Sequence, residues 1–261
     1  MIDAWIFGIT VVGGSVLFAS LGVMLVRKRV SGGFLKRHHE VAGYMLSIVG
    51  TLYSVLLGLI VVDTQTKYQV AKQMTQQEAD STLDLFHMSY TMPTEVRNRV
   101  HKNLAEYLKL VDEVEWDSVK RDGSFDEAGK VPFRELWWTL TDYEPSTVRG
   151  TEAYSEMLQV LQDMTDGRRY RLQIAKAGMH EVMWAVVIIG GLLTVLFTYF
   201  FEVENAKAQL LMTGLVALSL SLNVLLIALF SNPYTGYMRI SSYPFKYDRK
   251  VILELSKQMP E

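Results

Sequence analysis

The chain has 261 residues, with 26 lysine and arginine residues against 28 aspartate and glutamate residues, and it contains no cysteine. This near-neutral balance argues against a strongly basic nucleic-acid-binding protein, so no nucleic-acid partner is expected. The lack of cysteine excludes disulfides, thiolate metal sites and cysteine nucleophiles.

Four long apolar stretches predict four membrane-spanning helices. Each has about 20 residues or more without Asp, Glu, Lys or Arg, which is enough for a helix to cross a hydrocarbon core about 30 Å thick. One such stretch could be a buried helix of a soluble protein, but four of this length favour a membrane protein. The N-terminus, Met-Ile-Asp, has no basic region, so the first stretch is predicted to be a retained helix and not a cleaved signal peptide. The predicted spans are residues 4–26, 41–62, 182–201 and 210–230.

Short connections, Arg27–Glu40 and Glu202–Gln209, pair these spans into two hairpins. The predicted fold class is therefore an all-α membrane protein with four transmembrane helices in two hairpins and a soluble helical insert between spans two and three. The predicted domains are a first hairpin at residues 1–62, the insert at 63–181, a second hairpin at 182–230 and a C-terminal tail at 231–261.

The basic residues bear on the orientation of the chain in the membrane. The first connection has five Lys and Arg among fourteen residues, and the positive-inside rule places such a loop in the cytoplasm. Basic residues before span three and after span four, among them Arg239 and Lys246, favour the opposite orientation. We expect a multi-pass protein of the cell membrane, the inner membrane of a bacterium, with the insert on the extracytoplasmic side.

The insert is predicted to be helical. No Pro or Gly occurs from Asp63 to Tyr90, so span two is expected to continue as one long helix. Further helices are predicted at about residues 95–119, 133–143 and 146–179, the last running into span three without a break. The helix at 95–119 has an apolar stripe that needs a packing partner, formed by Val96, Val100, Leu104, Tyr107, Leu108, Val111 and Val114.

Several short motifs occur in one order along the chain. They are Gly43 and Gly50-Thr-Leu-Tyr53-Ser-Val-Leu-Leu-Gly58-Leu-Ile-Val-Val62 in span two, Tyr107 and Glu115-Trp116 in the insert, Arg168-Arg169-x-Arg171-Leu172 before span three, and Asn232-Pro233-Tyr234-x-Gly236 after span four. In this order and spacing, over roughly residues 5–250, the chain resembles the bestrophin-like family of prokaryotic membrane proteins. That family is a domain of unknown function named for its distant likeness to bestrophin anion channels. The chain departs from the family pattern at His180, where proline is usual, and at Tyr234, where phenylalanine is commoner.

The resemblance implies paired membrane hairpins with a helical insert, a homo-oligomer in the lipid bilayer, and inorganic anions as the candidate permeating ions. It also implies a cytoplasmic insert, which conflicts with the orientation expected from the basic residues. Likeness of fold does not by itself establish transport.

One face of span two is the first candidate site. Ser47, Thr51, Ser54 and Gly58 follow one another at helical spacing and lie on one side of the helix. In a ring of subunits this face would line a pore with hydroxyl groups. Small residues also allow membrane helices to pack closely, and the sequence leaves both interpretations open.

Span four has a second polar pair, Ser219 and Asn223, which lie one helical turn apart. A carboxamide at bilayer depth is costly unless it finds a hydrogen-bond partner. Asn223 is therefore expected to be a buried anchor within the helix bundle, with a place on an ion path as the alternative.

A basic cluster of Arg168, Arg169 and Arg171 precedes span three. These arginines are expected to form salt bridges with acidic residues on the helix that extends from span two, for which the candidates are Glu78, Asp80 and Asp84. The alternative is that their positive potential attracts anions to a vestibule.

No motif in the sequence is typical of an enzyme. There is no Gly-rich phosphate loop, nucleophile elbow or HExxH pattern, so we expect no enzymatic activity, no cofactor and no metal site. Three functions remain: an ion channel with span two lining the pore, a non-conducting membrane scaffold that binds partners through the insert, and a secondary transporter. The transporter has the least support, because only Gly190-Gly191 hints at the broken helix that is typical of such proteins.

Overall fold

The structure is a computed structural model of the chain and describes residues 2–30, 32–176, 178–201 and 205–258. Within these ranges the chain is helical and has no β-strand, so the predicted all-α fold is confirmed. A short 3₁₀ turn, Ser89–Thr91, follows α2, and a π-helical turn, Val111–Glu115, separates α3 from α4. The helices are α1 (Ile2–Arg29), α2 (Gly32–Met88), α3 (Thr94–Leu110), α4 (Trp116–Asp122), α5 (Lys130–Thr141), α6 (Val148–Lys176), α7 (Glu181–Thr198), α8 (Ala206–Phe230) and α9 (Tyr243–Gln258).

Four of these helices, α1, α2, α7 and α8, are long and apolar enough to cross a membrane. They coincide with the four predicted spans. The helix of span two does continue far beyond its apolar part, because α2 has 57 residues and ends only at Met88.

The described chain forms two compact units. The membrane unit is drawn from residues 1–68, 179–232 and 236–238, and the insert unit is drawn from residues 69–178, 233–235 and 239–261. The tail helix α9 therefore belongs to the same unit as the insert, and the boundary between the units falls inside α2, after Tyr68.

Within the membrane unit, α2 is fixed to α7 by one tyrosine. Tyr53 is buried and donates a hydrogen bond from its hydroxyl to the backbone carbonyl of Val187. Its ring lies so close to Gly190 that a Cβ at that position would overlap it, so the glycine allows the two helices to approach. Leu57 and Ile60 of α2 complete a small core with Val187 and Ile227.

Two predicted connections have different bounds in the structure. The prediction of a loop from Arg27 to Glu40 is wrong, because α1 continues to Arg29 and α2 begins at Gly32. Lys, Arg and Glu are good helix formers, so charge ends the apolar part of a helix without ending the helix itself. In the second connection, Asn205 caps α8 by accepting a hydrogen bond from the Lys207 backbone amide at 3.0 Å, and residues 202–204 lie outside the described part of the chain.

The predicted continuity between the last insert helix and span three is also wrong. Helix α6 ends at Lys176 and α7 begins at Glu181, with His180 in an extended backbone conformation (φ −61°, ψ 140°). Gly178 lies in this break, and glycine is a poor helix former because its backbone loses the most freedom on ordering.

The insert unit buries the middle of the apolar stripe that the sequence predicted, while Val96 is half-buried and Val114 is exposed. Val100, Leu104, Leu108 and Val111 have no exposed surface, and α3 packs against α5 and α9. The π-helical turn at the end of α3 contains one extra residue relative to an α-helical turn. The adjacent residues Glu115 and Trp116 are both buried at this point.

Candidate functional site

The small-residue face of α2 is exposed in the single chain. Ser47, Thr51, Ser54 and Gly58 are all exposed, and nothing lies within 4 Å of a Cβ placed on Gly58. Because an α-helix turns 100° per residue, this face lies about 120° around α2 from the face of Tyr53, Leu57 and Ile60, which packs on the chain's own core. The small residues therefore point away from the membrane unit's interior.

A third face of α2 carries exposed aliphatic side chains. These are Ile48, Leu52, Val55, Leu59 and Val62, and they suit contact with lipid or with a neighbouring apolar helix. The helix thus has separate core, small-residue and aliphatic faces, and the last two have no partner within the described chain.

Two hydroxyl groups of the small-residue face bond to their own helix. Ser47 donates to the Gly43 carbonyl at 3.0 Å and Thr51 donates to the Ser47 carbonyl at 2.7 Å. Because these donors are satisfied within α2, the face tolerates apolar surroundings as well as water.

The polar pair of span four makes only local contacts among the described residues. Asn223 donates from its side-chain amide to the Ser219 carbonyl at 2.9 Å, one turn back along α8. Ser219 is exposed and Asn223 is half-buried. The role of this pair as an anchor between helices stays a prediction.

Arg171 forms the centre of a buried ion network in the insert unit. Its Nε and Nη2 atoms each lie 2.7 Å from one carboxylate oxygen of Glu78, and Nη2 also lies 2.9 Å from Glu115 Oε2. All three side chains have no exposed surface. This fork geometry is one that a planar guanidinium provides and an ammonium does not.

Arg168, one helical turn earlier on α6, extends the network. Its Nη2 lies 2.9 Å from Glu115 Oε1, and its Nη1 donates to the Tyr107 hydroxyl at 3.2 Å. The Tyr107 hydroxyl donates in turn to Glu78, and Glu115 Oε1 accepts a hydrogen bond from the Gly129 backbone amide at 2.9 Å. Two arginines and two glutamates therefore balance in charge and join α2, α3, the π-helical turn and α6.

Aromatic rings enclose the Arg171 guanidinium. It lies 5.1, 4.6 and 5.6 Å from the ring centroids of Trp116, Phe125 and Phe245. Its Nη1 atom is buried and has no hydrogen-bond partner among the described residues. Ring faces attract such a cation, so the rings supply the contact that a hydrogen bond would otherwise provide.

The electrostatics of the network favour the charged forms of Arg168, Arg171 and Glu115. Burial would raise the pKa of Glu115, but the positive charges of Arg171 and Arg168 outweigh it and hold that pKa below its usual range. Burial would lower the pKa of Arg171, yet the Glu78 carboxylate holds it well above its usual value. Burial, and then the Glu78 charge, raise the pKa of Tyr107, so the tyrosine stays a neutral donor.

The other members of the predicted cluster lie outside this network. Arg169 is exposed and pairs weakly with Asp166 at 3.6 Å. Asp84 and Asp80 are exposed, and Asp80 accepts a hydrogen bond from Gln76 at 2.7 Å. Of the three arginines, Arg169 alone presents its charge to solvent, because Arg168 and Arg171 are buried against carboxylates.

Glu115 is a salt-bridge partner that was not among the three acidic candidates predicted from the sequence. A signal for it exists in the sequence: Tyr107, Val111 and Glu115 follow one another four residues apart, so the glutamate continues the apolar stripe of α3 into the π-helical turn. A carboxylate on a buried face needs a cationic partner. Asp248 lies likewise between Phe245 and Ile252 on the buried face of α9.

Within the described residues, no group of three or more His, Asp and Glu side chains is arranged to hold a metal ion.

Tyr234 ties the chain that follows span four to the insert unit. Its hydroxyl forms a hydrogen bond with the Thr75 hydroxyl at 2.8 Å and donates a second one to the Ala71 carbonyl at 3.2 Å. Replacing Tyr234 by phenylalanine is expected to lower the free energy of unfolding by about 1 kcal/mol, the net value of one buried hydrogen bond. Thermal unfolding of the detergent-solubilised protein measures this loss.

The matched control is Tyr247→Phe on α9, where the ring is exposed and we expect no measurable change. Equal stability of the Tyr234→Phe variant and the unmodified protein would show that the Tyr234 hydroxyl contributes nothing to the insert unit.

These features define an all-helical, multi-pass membrane protein in which one helix of a membrane hairpin continues into a helical unit held by a buried ion network. A model of the Bestrophin-like domain matches residues 13–245, and the chain belongs to the bestrophin-like family. No curated protein matches the chain.

The fold is similar to that of a bacterial bestrophin homologue from Klebsiella pneumoniae. A point mutant of that homologue matches with a TM-score of 0.70 at 9% sequence identity, covering 94% of this chain and 98% of the other. The structure of the homologue solved by zinc phasing gives a TM-score of 0.67 at 11% identity, covering 97% and 99%. A structure described as a membrane protein variant gives 0.68 at 10% identity, covering 95% and 98%. At these identities the likeness shows the fold.

Proposed function

We propose that the chain assembles as a homo-oligomer in the cell membrane and forms an ion channel whose pore is lined by the small-residue face of α2. Membership of the bestrophin-like family and the bestrophin fold support a channel. The proposed location is a bacterial inner membrane. The five basic residues of the first connection favour an extracytoplasmic insert.

The observation that carries this proposal is the exposure of Ser47, Thr51, Ser54 and Gly58 on a face separate from the chain's own core. Hydroxyl oxygens and an uncovered glycine backbone are the polar groups that α2 can offer to a hydrated ion. In a ring, the aliphatic face would contact lipid or a neighbouring helix while the small-residue face points to the axis.

Inorganic anions are the proposed permeating ions, and this choice follows from the family's likeness to bestrophin anion channels. The buried arginines give it no support, because Arg168 and Arg171 are neutralised by Glu115 and Glu78. Any selectivity would have to come from groups that face the pore.

The second candidate is a non-conducting membrane scaffold that binds partners through the insert unit. Two observations favour it: the Ser47 and Thr51 hydroxyls need no water, and Trp138 of α5 and Tyr247 of α9 are more than half exposed. Against it, most of the predicted apolar stripe is already buried within the unit, with Val114 as its exposed member.

Ion flux through liposomes that contain the purified oligomer distinguishes the two functions. The unmodified protein is expected to conduct chloride. Ser54→Leu is expected to reduce the flux at least about tenfold, because a large apolar side chain on the pore face removes water from the constriction. Flux is measured with a chloride-sensitive dye and repeated with a sodium-sensitive dye to determine the sign of the permeating charge.

Val55→Leu is the matched control, because it enlarges the neighbouring residue on the aliphatic face and should leave the flux unchanged. Equal flux in the Ser54→Leu and unmodified oligomers would contradict the proposed pore face. A correctly assembled oligomer that conducts neither ion would favour the scaffold.

A further inference from the structure

Asp248 is a buried carboxylate that lacks a full set of partners. It lies on the face of α9 that packs into the insert unit, between the buried Phe245 and Ile252, and only 3% of its surface is exposed. Its Oδ2 atom has no hydrogen-bond partner among the described residues. A buried carboxylate without donors is unfavourable in its charged form.

The charges around Asp248 increase this cost. The two groups that act on it most strongly after burial are the carboxylates of Asp80 and Asp84 on α2. Its neighbour Arg249 is turned to Glu113 of the π-helical turn, at 2.6 Å.

Two further basic groups act on other carboxylates. Lys109 of α3 acts on Glu113, which Arg249 already contacts, and Lys250 of α9 lies 3.7 Å from Glu254. Asp248 is therefore acted on by two carboxylates of α2, while Arg249 and Lys250 of its own helix are paired with other carboxylates.

We propose that Asp248 makes the docking of α9 in the insert unit sensitive to pH, with tighter docking in mildly acidic conditions. Protonation removes the charge from the buried carboxyl and ends its repulsion with Asp80 and Asp84, so α9 packs at lower cost. Deprotonation restores both effects and favours opening of α9.

The direction of this pH dependence follows from the pKa of Asp248 when α9 is docked and when it is undocked. Burial, and then Asp80 and Asp84, raise the pKa of Asp248 from 3.8 to about 6. Between these values the docked helix binds more protons than the undocked one, so docking strengthens as the pH falls through about 6 and the gain is complete below about 4. This property of the insert unit does not depend on whether the chain conducts ions.

Hydrogen–deuterium exchange of the full-length protein in detergent tests the proposal. After correction for intrinsic exchange rates, peptides from α9 are expected to open about tenfold more often at about pH 7.5 than at about pH 5. Proton linkage gives this ratio for an Asp248 pKa of about 6 in the docked helix and 3.8 in the undocked one. Asp248→Asn should open equally rarely at both pH values. Peptides from α5 are the internal control and should show no such change.

A double variant, Asp80→Asn with Asp84→Asn, changes two exposed residues and leaves Asp248 in place. Its α9 opening should still depend on pH, with the midpoint moved to a lower pH because the repulsion is gone. Equal opening of the unmodified α9 at both pH values, or a pH dependence that persists in Asp248→Asn, overturns the proposal. If Asp248→Asn does not fold, an unchanged midpoint in the double variant also overturns it.

Discussion

Replacement of Arg171 by methionine is expected to lower the free energy of unfolding by about 3–5 kcal/mol, because it leaves buried carboxylates without their cation. Glu78 would lose both charge-assisted hydrogen bonds to the arginine and keep only the Tyr107 hydroxyl. Glu115 would lose one bond and keep its contacts with Arg168 and the Gly129 amide. The thermal midpoint of the detergent-solubilised protein should fall by roughly 6–20 °C for a chain of this size.

The pH dependence of this loss separates lost charge pairing from lost packing. Without Arg171, the buried Glu115 would lose the positive charge that does most to lower its pKa, and would bind a proton more readily than in the unmodified protein. The stability lost in the variant should therefore shrink as the pH falls, because the folded variant binds more protons than the folded unmodified protein. A loss caused only by the missing side-chain volume would be the same at every pH.

Two further variants act as controls for the Arg171 experiment. Arg169→Met removes an exposed arginine two residues away on the same helix and should change stability by less than about 0.5 kcal/mol. Arg171→Lys should give an intermediate loss, since an ammonium cannot bind two carboxylates in a fork. Methionine at position 171 with stability within about 1 kcal/mol of the unmodified protein would mean that the network does not hold the insert unit together.

The spans could be predicted from the sequence because their physical requirement is local. A stretch of about 20 residues without charge has few stable environments other than a bilayer, and residues 41–62 show this without any reference to the rest of the chain. The continuation of α2 to Met88 was predictable for a similar reason, because no Pro or Gly interrupts it. The ends of the helices were less predictable, since Arg27 and Glu40 do not break a helix.

The ion network was only partly predictable, because it depends on contacts between distant segments. Glu78 was one of three acidic candidates for the arginines, and the sequence offered no reason to choose it over Asp80 or Asp84. The structure supplies a reason: Glu78 lies at helical spacing from Ala71 and Thr75, which are buried on the inner face of α2. The same argument marks Glu115 as buried, because it is in phase with Leu104, Leu108 and Val111, but the arginine that it binds could not be predicted.

The close approach of α6 to α2 provides the second large expected effect. A Cβ on Gly167 would lie 2.8 Å from the Met74 carbonyl oxygen and 2.9 Å from Glu78 Cβ. The nearest atom belongs to the backbone of a packed helix and cannot rotate away. In a solvent-exposed helix, replacing glycine by alanine would raise the stability by about 0.5–1 kcal/mol. For Gly167→Ala we instead expect the free energy of unfolding to fall by about 2 kcal/mol, because the alanine overpacks the contact between α6 and α2.

Gly167 lies beside Arg168 and one helical turn before Arg171, so moving α6 away from α2 would also lengthen the bonds from Arg171 to Glu78. The stability lost by the double variant Gly167→Ala with Arg171→Met should therefore be smaller than the sum of the losses of the two single variants, because both substitutions weaken the same contact. Thermal unfolding of the two single variants and the double variant measures this coupling, with Asp166→Ala, an exposed change on the same helix, as the control. An alanine variant as stable as the unmodified protein, or strictly additive losses, would show that α6 and α2 can separate without disturbing the network.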